Sequence, residues 1–284
     1  MFRKIYSIFD FSDFIMIFFS KLYLFYKIII RKNKSYKNLK IKKNNGYLID
    51  DGNDKLKIFH LNKLPQYYRG FKFSQYGLIK GYGFNEFIFL PEGSCVLNVG
   101  ANIGDIALGF LNHNLNVKAV EPDINQYNIL EENKKFFDKK NTNSKLFFEI
   151  YNCGLSNETG TKKFYLNSKS NDSTFIEPNY NDKKKYKTLT IKAHKIDELF
   201  VQSNIDLIVG DVEGYEPEIL MGATNTLKKC KYVALDCGNE RNGQDTIDDT
   251  IKILKLNNFK IIKIPEKKDP RPVVIGSNNY FSED

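Results

Sequence analysis

Apolar residues in this chain fall into short runs separated by longer stretches of helical spacing, and from residue 95 onward the two alternate. The runs marked by Val96, Val117, Leu146, Leu207, Tyr232 and Ile261 are short and rich in branched residues, as strands buried on both faces are. Between them, residues 103–111, 124–137, 216–227 and 246–256 place apolar positions at helical intervals. That alternation predicts an α/β fold built on a doubly wound, mostly parallel sheet. Residues 259–264 and 272–275 read as two strands with a connection too short for a parallel crossover, so the last strand is expected to be antiparallel.

Three segments interrupt the alternation. Residues 154–192 form an insertion in which turn signals at Ser156-Asn157 and Gly160 precede the run Phe164-Tyr165-Leu166, predicting a hairpin. The polar stretch Asn171-Asp172-Ser173-Thr174-Phe175 after it is either a surface loop or a cover over the site. Residues 44–93 are aromatic and spotted with glycine, and read as short antiparallel strands or turns leading into the main sheet. Residues 14–30 are strongly apolar with Lys21 and Lys27 as their only charges, predicting an N-terminal helix. The resulting division is 1–43 as helix and linker, 44–93 as a lead-in and 94–284 as the catalytic domain.

Charge sharpens this division. The formal net charge of +9 resides entirely in residues 1–43, which hold eleven Lys or Arg against Asp10 and Asp13. The remaining 241 residues balance 32 bases with 32 acids, so no nucleic-acid partner is expected, because phosphates need basic residues around the active-site mouth. Seventeen residues with two lysines fall short of the ~20 apolar residues of a transmembrane span, and no small-residue cleavage site follows. An interfacial helix on an anionic membrane surface, or a helix packed on protein, are the two readings of the appendage. The four cysteines lack metal-like spacing and are expected to be reduced core residues, which points to the cytoplasm, with the membrane reading placing the protein on the inner face of a membrane.

The first chemical constellation is VLNVGANIGDIAL at 96–108, followed by Ala119-Val120-Glu121-Pro122. A strand, a glycine loop and a helix start form a nucleoside site: Gly100 allows a tight turn, Gly104 a close approach, and Glu121 at the end of the next strand can accept ribose hydroxyls. Dinucleotide binding wants G-x-G-x-x-G, but Asn102 and Asp105 stand at the second and third glycine positions. A carboxylate at Asp105 repels a pyrophosphate and suits the ammonium or sulfonium of S-adenosylmethionine, which is therefore the expected cofactor. Complementing the helix dipole is the plainer account of Asp105 alone.

The second constellation is Asp206-Leu-Ile-Val-Gly-Asp211-Val-Glu213-Gly214-Tyr215-Glu216-Pro217-Glu218. Asp211 and Glu213 fall just outside the carboxyl end of a strand, where doubly wound folds bind ligands, and either acid can take the proton of an attacking hydroxyl. Glu216 and Glu218 are read as merely charging the start of a helix. His194 is a weaker candidate for a base or substrate contact. Asp236 and Asn239 with Asp211 would make an oxygen-rich cation site, but three scattered oxygen donors are common by chance, and no metal is expected.

Taken in order, VLNVGANIGDIAL, AVEPD, the GLSNETGTKKFY hairpin, DSTF and DVEGYEPEILMGA resemble the FkbM family of S-adenosylmethionine-dependent methyltransferases over about residues 94–264. The resemblance implies a class I, Rossmann-like methyltransferase fold and O-methylation of sugar, glycan or polyketide hydroxyls. It implies further that Gly100, Asn102 and Gly104 line the methionine end of the cofactor, Glu121 its ribose, and Asn152 or its neighbour the adenine edge, with Asp211 and Glu213 as the acids of the second motif. Two residues depart from the family's pattern: Asn98 stands where the first strand commonly ends in an acid, and Val209 where a lysine often precedes the aspartate.

The leading expectation is thus an O-methyltransferase acting on a sugar, a glycan or a lipid-linked glycan. A cofactor-binding protein without turnover, or a membrane-associated binding module, is the alternative that the two departures raise. A nicotinamide-dependent oxidoreductase is a further one, opposed by Asn102 and Asp105.

Overall fold

The computed structural model describes residues 13–44, 46–142, 145–167, 172–179, 185–266, 269 and 271–281. Helix α1 (Asp13–Phe25) runs on into a wider π turn, Tyr26–Ile30. Strands β1 (Lys40–Lys43), β2 (Tyr47–Asp50) and β3 (Lys55–Ile58) form an antiparallel meander. Since β1 pairs with β2, the expected boundary at residue 43 lies inside a hairpin.

Between residues 61 and 81 the lead-in is helical, where strands or turns were expected, and residues 82–93 are turns. A 3-10 segment, Leu61–Tyr67, precedes α2 (Phe71–Gly81), which buries Phe71, Gln75 and Ile79 at four-residue steps. Exposed Phe73 and Tyr76 lie between them and obscure that stripe in the sequence. Leu24, Leu39, Leu64 and Tyr67 pack in the same core as Val96, Val117 and Ile275, so helix, lead-in and main sheet share one apolar interior.

The α/β part follows in order: β4 (Cys95–Val99), α3 (Asp105–Leu111), β5 (Asn116–Val120), α4 (Ile124–Lys140), β6 (Phe148–Tyr151), β7 (Gly154–Leu155), β8 (Gly160–Asn167), β9 (Tyr186–His194), α5 (Ile196–Leu199), β10 (Leu207–Asp211), α6 (Glu216–Met221), α7 (Thr224–Leu227), β11 (Tyr232–Asp236), α8 (Ile247–Leu256), β12 (Phe259–Lys263) and β13 (Val273–Asn278). The main sheet has the order β12-β13-β11-β10-β4-β5-β6. Strands β4, β5, β6, β10 and β11 pair in parallel, while β13 runs antiparallel to both β11 and β12. The fold is therefore a Rossmann-like, doubly wound α/β sheet with an antiparallel last strand, as expected. The chain winds one way from β4 and the other way from β10, and a cleft opens above the carboxyl ends of these neighbours, as the topology requires.

The hairpin predicted after Gly154 is present as β8 and β9, paired along their whole length, with β7 alongside β9. The helix expected over 216–227 is broken into α6 and α7. At the break, a Cβ on Gly222 would lie 2.1 Å from the Ser156 carbonyl oxygen, so a small residue is required where the hairpin crosses. The Asp197 carboxylate then caps the second piece through the Asn225 and Thr226 N–H groups, at 2.8 and 2.7 Å.

Candidate active site

The two motifs meet backbone to backbone. Gly100 has φ +65°, and a Cβ placed on it would stand 1.8 Å from the Asp211 carbonyl oxygen, so a side chain at this position would push the two loops apart. The Ala101 N–H donates to the Val120 carbonyl at 3.0 Å, which ties the glycine loop to the end of β5. Beyond β5, Glu121 is buried and accepts two backbone N–H groups, from Asn102 at 2.6 Å and Asp123 at 2.8 Å, one on each oxygen. A carboxylate oxygen has two acceptor sites, so each retains one for a ligand hydroxyl. Burial pushes the Glu121 carboxyl up to about 8, against the pull of those two donors.

Asp105 opens α3 and is held from the lead-in. The Tyr67 hydroxyl donates to Oδ2 at 2.6 Å and the Gln66 amide to the same oxygen at 3.3 Å. Its other oxygen, Oδ1, is buried with no hydrogen bond among the described residues. Burial raises its pKa while the Tyr67 contact opposes the rise. The residue lines the cleft, with its carboxylate held at the wall by Tyr67 and Gln66.

Across the cleft, the Asp211 Oδ1 accepts the Glu213 N–H at 3.2 Å, forming a tight turn in which Glu213 adopts φ +54°. Burial raises both carboxyls, with Glu213 carried to about 10 by burial and then by the charge of Asp211. Arg271 and Lys63 pull Asp211 downward, while the charges that act on Glu213, among them Asp172 and Glu240, are all negative. Each carboxyl of the pair therefore holds its proton more tightly than an exposed acid does, and Glu213, carried to about 10, is protonated near neutral pH.

Glu216 and Glu218 do more than charge the start of a helix. Glu216 is fully buried and accepts the Gly214 N–H at 3.1 Å and the Thr246 hydroxyl at 2.6 Å. Arg241 donates to the Gly214 carbonyl at 2.7 Å and to the Glu218 carboxylate at 2.5 Å. These contacts clamp the strained Glu213-Gly214 turn from behind.

The polar loop after β8 lies across the site. Ser173 donates to the Asp123 carboxylate at 3.3 Å on one side, and Thr174 donates to the Glu213 carbonyl at 2.8 Å on the other. Asn171 is outside the described residues. Phe175 anchors the loop between Phe164 and Tyr215, with ring centroids 4.9 and 5.0 Å away.

These elements enclose a cleft of about 350 Å³ that brings Gly100, Asn102, Asp105, Glu121, Asp211 and Glu213 together. Gly104 sits at the start of α3 in the left-handed conformation, beneath that loop. Asn152 does not line the cleft; its amide donates to the Glu121 carbonyl at 2.9 Å, and its neighbour Cys153 is the residue that faces the cavity. His194 and Asn239 lie outside the lining as well. Asp236 faces Arg271 at 3.5 Å, and among the described residues no group of three or more His, Cys, Asp or Glu is arranged to hold a metal ion. All four cysteines are free thiols.

The sequence reading missed Tyr67, Lys63 and Arg271, which come from the lead-in and from the turn before β13. Arg271 lies over the Tyr82 ring at 4.9 Å. The carboxylates lining the cleft, Asp105, Glu121, Asp123, Asp172, Asp211 and Glu213, outnumber Lys63 and Arg271. Even with Glu213 at about 10 and Glu121 at about 8, both protonated near neutral pH, the cleft lacks the cluster of cations that a phosphate would need.

A family model, the methyltransferase FkbM domain, matches residues 98–261. Solved structures to which the chain is similar include a SAM dependent methyltransferase from Aquifex aeolicus, 16% identical, covering 71% of this chain and 88% of that one with TM-score 0.40. Magnesium protoporphyrin IX methyltransferase from Synechocystis PCC 6803 with bound SAM is 12% identical, covering 73% and 77% with TM-score 0.41. TrmK of M. capricolum in complex with S-adenosyl-homocysteine is 12% identical, covering 72% and 68% with TM-score 0.41. No curated protein matches the chain.

Proposed function

The chain belongs to the FkbM family of methyltransferases, and we propose that it transfers the methyl group of S-adenosylmethionine to a hydroxyl of a sugar or glycan. The observation that carries this reading is the excess of acids over Lys63 and Arg271 in the cleft, with Asp105 on one wall and the Asp211–Glu213 pair on the other. S-adenosylmethionine, when bound, supplies a methyl carbon made electrophilic by a positively charged sulfur. Glu121 offers its free lone pairs to ribose hydroxyls, the backbone of Gly100 and Asn102 shapes the loop around the methionine end, and Asp105 meets positive charge.

An alcohol is a poor nucleophile until its proton leaves, so the acceptor side needs a base within hydrogen-bond reach. Asp211 fills that role. Its Oδ1 is engaged by the Glu213 N–H, leaving Oδ2 to accept the hydroxyl proton. Glu213, protonated, donates a hydrogen bond and orients a second oxygen of the acceptor, which suits the neighbouring hydroxyls of a sugar. The Ser173-Thr174 loop excludes water from above. A phosphorylated acceptor is disfavoured by the same acids.

The test follows radiolabelled methyl from S-adenosylmethionine into a panel of sugars and glycans, with two variants. Asp211→Asn should lower kcat by roughly 100-fold or more, a typical scale for a lost general base, with cofactor affinity unchanged. Glu121→Ala should chiefly weaken cofactor binding. Normal turnover by Asp211→Asn would remove the base assignment, and label found only on nitrogen or carbon would remove the hydroxyl acceptor.

A further inference from the structure

Helix α1 is apolar apart from Asp13, Ser20 and Lys21, and only part of its apolar surface is covered by the protein. Ser20 and Leu24 are buried, Met16, Ile17, Tyr23 and Ile28 pack against the core, and Ser20 accepts a hydrogen bond from the Tyr68 hydroxyl at 2.8 Å. The uncovered part carries Phe14, Phe18, Leu22, Phe25 and Ile29, each more than half exposed, at steps of four, four, three and four residues. That spacing draws one continuous stripe along the helix and the π turn.

The surroundings of the stripe are basic. Lys21, Arg31, Lys32 and Lys34 are exposed, and Asp13 is the one acid among the described residues up to 43. Lys27 is turned away from the stripe, toward the Tyr23 and Tyr36 rings at 5.5 and 5.4 Å. We infer that this face of α1 docks on the headgroup boundary of an anionic lipid bilayer, with the Phe and Leu side chains in the acyl region and the basic residues at the phosphates.

Two features select that occupant. Among the described residues no helix is long and apolar enough to cross a membrane, and the Ser20–Leu24 side is already occupied by protein, so the helix lies in the interface instead of spanning. A second copy of the chain is disfavoured, because a two-fold contact through the stripe would set the same basic rim against itself. An anionic surface meets both the apolar and the charged parts. Docking also places the cleft near the bilayer: α1 packs against the Leu61–Tyr67 segment, which carries Lys63 and Gln66 into the cleft wall. The inference stands apart from the methyl-transfer reading, since it concerns binding alone.

Flotation of the full chain with phosphatidylcholine vesicles, and with phosphatidylcholine mixed with phosphatidylglycerol, tests it. The wild type should float with the anionic vesicles only, and salt should weaken the association. Phe14→Ser with Phe18→Ser, Leu22→Ser and Phe25→Ser should reduce flotation by more than about tenfold while leaving the thermal transition in place, because these side chains are exposed. Arg31→Gln with Lys32→Gln and Lys34→Gln should cost roughly fivefold in partitioning per residue. Absence of flotation by the wild type, flotation unaffected by the four-serine variant, or a stripe-dependent dimer in sedimentation that ignores vesicles would each overturn it.

Discussion

Asn98 and Val209 are register partners on the neighbouring parallel strands β4 and β10, and the Asn98 amide donates to the Val209 carbonyl at 3.2 Å. The two departures from the family's pattern therefore fall at one place, side by side and fully buried. An acid and a lysine at these register partners would face each other as a buried ion pair; this chain has Asn and Val there, and the Asn98 Oδ1 has no hydrogen bond among the described residues. Replacing both members of such a pair costs far less than replacing one.

A double-mutant cycle checks this. Asn98→Asp or Val209→Lys alone buries an unpaired charge and should destabilise the fold by about 3 kcal/mol or more, whereas the double variant should recover most of the loss. Urea denaturation measures all four chains, and additive losses would contradict the pairing.

Gly100 should tolerate no side chain. A methyl group 1.8 Å from the Asp211 oxygen forces the two loops apart, so Gly100→Ala should cost about 3 kcal/mol and abolish cofactor binding. Calorimetry on the folded variant separates lost binding from lost stability, and unimpaired binding would contradict the contact.

The loop over the site is fastened at Thr174. Thr174→Val removes its bond to the Glu213 carbonyl, at about 1 kcal/mol, and should speed hydrogen exchange at residues 172–175 while lowering kcat. Unchanged exchange would show that the Ser173–Asp123 bond, the backbone pairing of Thr174 with Tyr165 and the Phe175 anchor hold the loop without it.

Stability should fall as pH rises. Glu213 is carried to about 10, Glu121 to about 8, and Glu216 and Asp236 to about 7, burial being the largest cause for each. In the unfolded chain these groups ionise near pH 4, so above that pH the folded state holds the more protons and loses ground until each folded pKa is passed. The slope is at most about 1.4 kcal/mol per pH unit for each group. Thermal denaturation of the free protein should show a lower Tm at high pH than at mildly acidic pH; a rise toward high pH would contradict the buried acid cluster.

The glycine loop, Glu121 and the Asp211-Val-Glu213 turn were legible in the sequence because their chemistry is local: each follows a strand by a few residues, and strand order places them together. Tyr67, Lys63 and Arg271 were not, since Tyr67 reaches Asp105 from 38 residues earlier, and Lys63 and Arg271 enter the cleft from the lead-in and from the turn before β13. Only residues 61–81 of the lead-in were misread, because Tyr and Phe favour strands in general and the helical stripe Phe71, Gln75 and Ile79 has a polar middle member. Gln75 is buried there because it accepts a hydrogen bond from Asn112 at 3.0 Å, a partner no local pattern announces.

The central claim is that this cleft is built for a cationic adenosyl donor. Isothermal calorimetry of the purified chain with S-adenosylmethionine, S-adenosylhomocysteine and NAD tests it most directly. The first two should bind and NAD should not; uptake of NAD, or of neither adenosyl compound by folded protein, would overturn a cleft shaped for a cationic donor.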